Sequence, residues 1–104
     1  MRKYDIDPIS GQKSFYGKAH GRTERGANIL RSYDTDVCRI DAAGRFYRMW
    51  DGYSATTLKH VNAFRALFGL EPLKKSDWQA LPVVPWSIAD AVGGLLVEYE
   101  RLTA

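Results

Sequence analysis

The sequence predicts an α+β fold: a three-stranded antiparallel sheet, at about 14–19, 28–41 and 45–50, followed by helices at about 55–68, 77–81 and 88–102 packed on one face. Three observations predict it. Up to about residue 50 the chain holds short aromatic and β-branched runs punctuated by glycine, the pattern of strands and turns. Leu58, Val61, Phe64 and Phe68 then recur at helical spacing. Finally, 104 residues with 45% apolar and 26% charged content make one domain, 1–104, with one modest core. A single sheet face and two apolar helix stripes must bury each other, which sets the layers.

Taken in order, residues 1–13 are polar, hold Pro8 and Gly11, and read as an extended N-terminal arm. Ser14 to Ala19 is short and aromatic and reads as the first strand. His20 to Ala27 carries Gly21 and Gly26 with no apolar period, so a mobile loop is expected there. From Asn28 to Asp41 the apolar phase shifts, from Ile29, Tyr33 and Val37 to Cys38 and Ile40. One long strand with a bulge or bend near Asp34-Thr35-Asp36 accounts for the shift. Asp41 to Arg45 is a hairpin loop in which Gly44 supplies a left-handed residue, and Arg45 to Trp50 returns as the third strand. Ser54 is placed to cap the first helix, and Gly69 ends it as a left-handed residue past the last turn. Ser76-Asp77-Trp78-Gln79 reads as a capping box opening a short helix that Pro82 stops. Ser87 opens an appended C-terminal helix, 86–104, whose stripe is Ile88, Val92, Leu95, Tyr99 and Leu102. Gly93-Gly94 inside that helix suggests either a kink or close approach by a second copy of the chain.

Composition narrows the function classes. No basic-then-apolar leader opens the chain and no apolar run nears the roughly 20 residues of a membrane span, so no membrane partner is expected. A single cysteine, Cys38, forms no internal disulfide, which fits a reducing cytoplasm. The net charge of +3 is uneven: residues 1–75 carry 14 Lys+Arg against 8 Asp+Glu, and residues 76–104 carry Arg101 against Asp77, Asp90, Glu98 and Glu100. A basic body with an acidic tail points to an anionic partner or to docking between the halves.

Catalytic and metal chemistry find little support. His20, His60 and Cys38 are scattered, with no CxxC or HxxxH spacing, so no metal or other cofactor is expected. Cys38 with His60 could form a nucleophile and base, but Cys38 between Val37 and Ile40 reads as a small buried hydrophobe. Ser54, Thr56 and Thr57 beside His60 resemble a hydroxyl patch that helix capping explains more simply. Asp34 and Asp36 share a strand face and could act as paired carboxylates, though local turn bonding is the plainer account. Nucleic-acid binding has more behind it. Lys13, Lys18, Arg22, Arg25, Arg31, Arg39, Arg45 and Arg48 interleave with Phe15, Tyr16, Tyr33, Phe46 and Tyr47. Cations for phosphate and rings for stacking on one sheet would suit a single strand, provided strand alternation leaves the rings outside.

The stretches Ser14-Phe15-Tyr16-Gly17-Lys18-Ala19, Leu30-Arg31-Ser32-Tyr33-Asp34-Thr35-Asp36-Val37 and Tyr53-Ser54-Ala55-Thr56-Thr57, with His60 and Phe64, resemble a family of small uncharacterised proteins of bacterial phages, plasmids and integrated elements. The resemblance covers about residues 14–81 and brings no established activity with it. It implies a setting: an accessory protein of a mobile element in a bacterial cytoplasm. Such proteins often bind host machinery, anti-CRISPR inhibitors among them. The expected function is therefore non-enzymatic binding of a host protein or nucleoprotein complex. The expected partner-binding residues are Arg22, Arg25, Arg45, Arg48, Lys59, Lys74 and Lys75, and the structural ones Gly44, Ser54, Gly69 and Ser76. The alternative is direct nucleic-acid binding by the basic, aromatic sheet.

Overall fold

A computed structural model describes residues 2–8, 15 and 17–84. The first strand's start, Lys13, Tyr16, the appended helix and Gly93-Gly94 lie outside the described residues. The fold is α+β, with an antiparallel sheet of five strands rather than three: β1 Lys3–Asp5, β2 Ala19–Glu24, β3 Ala27–Ser32, β4 Thr35–Ile40 and β5 Phe46–Arg48, in that spatial order. Two helices follow, α1 Ala55–Leu67 and α2 Lys75–Ala80. Val83 adds a parallel bridge beside Arg48, and the Val84 N–H donates to the Arg48 carbonyl at 2.7 Å.

The expected first strand at 14–19 is a turn in its described part, where the Lys18 N–H donates to the Phe15 carbonyl at 3.0 Å and only Ala19 is strand. The five strands arise instead because the expected arm and loop each supply one and the expected long strand divides into two. Within the arm, β1 pairs with β2 through Lys3↔Arg22, Tyr4↔Gly21 and Asp5↔His20. The ring of Tyr4 lies where a β-carbon on Gly21 would sit, so that position requires glycine for close approach, not for looping. The Tyr4 hydroxyl reaches across β2 to donate to Asn28 Oδ1 at 2.7 Å. The expected loop at 20–27 is therefore mostly strand, closed by a tight turn at Arg25 (φ 53) and Gly26 (φ 77). Both residues in the left-handed region make the turn whose twist matches a hairpin.

The expected long strand, 28–41, is itself a hairpin. It folds at Tyr33-Asp34, and Ser32 pairs with Thr35. The shift in apolar phase has the expected kind of cause at a different place. The register changes between Leu30↔Cys38 and Arg31↔Asp36, leaving Val37 as the extra residue of a bulge. Val37 and Cys38 thus both enter the core.

Helix α1 starts with Ser54, whose hydroxyl accepts from the Thr57 N–H at 3.0 Å. It ends with Gly69 at φ 74. The Gly69 N–H donates to Ala66 at 3.1 Å and the Leu70 N–H to Arg65 at 3.0 Å, the paired bonds of a Schellman end. For α2 the cap moves from Ser76 to Lys74. The Asp77 carboxylate accepts from the Lys74 N–H at 3.0 Å, and Ser76 sits exposed inside the first turn. An acidic side chain three residues past the cap satisfies that N–H better than a hydroxyl inside the helix could. One core joins both helices to the sheet: Leu30, Cys38, Ile40 and Phe46 pack with Val61, Phe64 and Trp78.

Candidate functional site

The cations expected at a partner surface differ in how exposed they are. Arg48 is not at a surface. It is 6% exposed, and its guanidinium donates to the carbonyls of Trp50, Gly52, Trp78, Gln79 and Leu81 while lying 4.7 Å from the Trp78 ring. It pairs with Cys38, so strand alternation turns it inward, where it caps the carbonyl end of α2. Burial among these carbonyls pushes its pKa down. Arg22 is engaged too, with Nη1 and Nη2 on the Asp36 carboxylate at 2.7 and 2.9 Å and Nε on Glu24 at 3.1 Å. That fork raises the Arg22 pKa and holds Asp36 well below the usual carboxylate range. Arg45 stays beside Asp41, at 3.7 Å, in its own hairpin. There Gly44 at φ 83 lets the chain turn, and Asp41 Oδ1 accepts from the Ala43 and Arg45 N–H groups. Arg25, Lys59, Lys74 and Lys75 are exposed, and Lys75 Nζ lies 4.8 Å from the Tyr53 ring.

Among the described residues the expected ring platform does not form. Phe46 enters the core, and Tyr47 is buried with the Arg39 guanidinium 4.3 Å over its ring. Phe15 packs edge-on against His60 with centroids 4.5 Å apart. Alternation divides the rings of one strand between its two faces, so Phe46 and Tyr47 cannot share a surface. Of these four described rings only Tyr33 is exposed, at 50%. The other sequence candidates also part company. Cys38 is fully buried and its thiol is pushed up by desolvation, which removes it as a nucleophile. Asp36 is held by Arg22, whereas Asp34 sits exposed in the turn.

What the fold does bring together are two stretches far apart in sequence, Ser32-Tyr33 and Thr57 to His60. Ser32 ends β3, and α1 presents Thr57 and His60 to it. Ser32 Oγ and His60 Nδ1 share a hydrogen bond of 2.7 Å, and Thr57 Oγ1 lies 3.3 Å from the same hydroxyl. Ser32 and His60 are 2% and 1% exposed, so this pair ties α1 to β3 and meets no substrate. Burial pushes the His60 pKa down and keeps the imidazole neutral.

Above the cluster sits Tyr33, its ring 5.7 Å from that of His60. Its φ of 54 is left-handed, a conformation that costs a non-glycine residue about 1–3 kcal/mol. The two-residue turn demands that conformation, and the Tyr33 N–H donates to the Lys18 carbonyl at 2.8 Å to hold it. Lys18 Nζ lies 6.0 Å from the ring centroid. A strained, half-exposed aromatic resting on a rigid polar cluster, with a cation beside it, is suited to contact. Sequence reasoning placed Tyr33 among strand rings, because nothing local to Ser32-Tyr33-Asp34-Thr35 marks a turn whose first residue is a tyrosine.

Residues 4–80 match the model of a family of unknown function, DUF8033. No curated protein and no solved structure matches the chain.

Proposed function

We propose, for a chain that belongs to the DUF8033 family, a function in binding rather than catalysis. In this reading it is an accessory protein of a phage or other mobile element that engages a host nucleoprotein complex, as anti-CRISPR inhibitors do. The observation that carries the reading is Tyr33, held at φ 54 and half exposed over the Ser32–Thr57–His60 cluster. Strain that packing enforces at one exposed aromatic is characteristic of a preorganised contact residue. Tyrosines at such positions carry a large share of interface energy. Lys18 beside the ring and the exposed Arg25, Lys59, Lys74 and Lys75 supply attraction for an acidic protein surface or phosphates. Among the described residues no helix is long and apolar enough to cross a membrane.

A photo-crosslinking residue at position 33 tests this in bacterial cells, with one at exposed Glu71 as the control. The expected result is a discrete adduct from position 33 that is absent at position 71. A nuclease-resistant adduct identifies a protein contact, and a nuclease-sensitive one identifies direct nucleic-acid binding. Identical adduct patterns at both positions would remove Tyr33 as a contact and the binding argument with it.

A further inference from the structure

On the opposite sheet face from α1 lies a cleft of about 510 Å³, lined by Lys3, His20, Gly21, Arg22, Glu24 and Arg31. The register explains why these side chains meet. Lys3 pairs with Arg22 and His20 with Arg31, so cross-strand neighbours on β1, β2 and β3 point the same way. The volume falls in the range of small-molecule sites, roughly 300–1,000 Å³.

The charges in this cleft are not equivalent. Arg22 is fixed by its fork on Asp36 and by Glu24, so its plane is set before any ligand arrives. His20 Nδ1 is bonded to Asp5 at 2.9 Å. Arg31 reaches Asp36 only at 3.5 Å and remains 45% exposed, with most of its donors available to a ligand. Lys3 forms no ion pair among the described residues. Lys3 stands across Arg22 from Ile29 and Arg31 across His20 from Asp5, so the two cations are two strands and two residues apart. That is about 12 Å by strand geometry, within which both long side chains can close on one anion between them. The guanidinium fork matches tetrahedral oxyanions and the ammonium adds a mobile point charge.

We propose that this cleft binds the phosphate group of a small phosphorylated ligand of nucleotide size, with Lys3 and Arg31 as its principal contacts. Arg22 positions the wall through Asp36 and Glu24. The site is separate from Tyr33 and does not depend on the function proposed for it.

Calorimetric titration of the full chain with inorganic phosphate, a nucleoside 5′-monophosphate and the parent nucleoside tests the proposal. Phosphate and the monophosphate are expected to bind with one-to-one stoichiometry, more weakly as salt rises, and the nucleoside not to bind. Combined Lys3→Ala and Arg31→Ala should lower affinity at least tenfold at an unchanged melting temperature, and Tyr33→Ala should leave it alone. Should the double variant fold poorly, Lys3→Glu on the short edge strand supplies the same reading. The proposal is overturned by a nucleoside that binds as well as its monophosphate. It is overturned equally if neither phosphate compound saturates, or if affinity survives the folded variants.

Discussion

Arg48 and Tyr33 show how far single residues depart from what their neighbours suggest. In Arg45-Phe46-Tyr47-Arg48 the arginine reads as a surface cation, yet its acceptors are carbonyls of α2 about thirty positions on and of the loop at Trp50 and Gly52. A planar fork can serve several carbonyls at once and an ammonium cannot. Arg48→Lys is therefore expected to cost about 2 kcal/mol in urea unfolding. Arg48→Ala should cost more, because it leaves the end of α2 uncapped. A cost below the usual surface range of about 0.5 kcal/mol would show that Arg48 is not structural. At Tyr33 the expectation differs. Asparagine tolerates φ near 54 better than tyrosine, so Tyr33→Asn should leave the melting temperature unchanged or slightly raised. The same substitution should abolish the position-specific contact proposed for Tyr33. Strong destabilisation would mean that the ring's packing on His60 matters more than its exposure.

At the scale of elements, the ends of α1 were the most legible feature, because their signals are local. Ser54 three residues before its bonded Thr57 N–H and Gly69 after the last apolar position are both readable without tertiary information. Ser54→Ala should lower stability by about 1 kcal/mol, and Ser54→Asp should be close to neutral, as equilibrium denaturation would register. Gly69→Ala should cost about 1 kcal/mol because of its positive φ, in contrast to the gain expected for Gly→Ala at an ordinary backbone position. The strands were less legible, since their evidence is shared between segments. Gly21 looks like a loop residue until Tyr4 is seen lying on it, and Tyr4 looks like part of an arm until Gly21 makes room for it. Likewise the turn at Tyr33-Asp34 lacks glycine, so Ile29 to Ile40 reads as one strand whose phase slips. The bulge at Val37 produces the slip, but sequence cannot say that the partner strand is the same segment folded back. The site shared that fate. Thr57 and His60 drew attention together as part of a hydroxyl patch, but nothing placed Ser32 with them, and only the packing of α1 on β3 joins the three.

For the whole molecule, the same buried groups that hold the layers together set its response to acid. His60 is neutral inside the α1–β3 junction, and its folded pKa lies below 6.5 because burial penalises the charged ring. As pH falls through 6.5 the unfolded chain takes up this proton first, so the unfolded state gains stability relative to the fold. The loss begins near that value and continues until the folded imidazole is also protonated. Asp36 acts in the same direction at lower pH. Its folded pKa is depressed below 3.8 by the Arg22 fork, so its contribution is complete above 3.8 and disappears as pH drops through the folded value. Acid sensitivity should therefore come in two stages, the first at the helix–sheet junction and the second on the sheet's other face. Urea midpoints measured from about pH 7.5 to about pH 3 separate them. His60→Gln keeps a hydrogen-bonding side chain near Ser32 but cannot titrate. Its baseline stability should be lower, because the ring packing on Phe15 is lost, while the slope just below pH 6.5 should flatten. The decline below 3.8 should persist in that variant and shrink in Arg22→Gln, where Asp36 keeps only the longer contact to Arg31 and its pKa moves back toward the ordinary range. An unaltered slope just below pH 6.5 in His60→Gln would mean that another group, not the buried imidazole, couples the junction to protons.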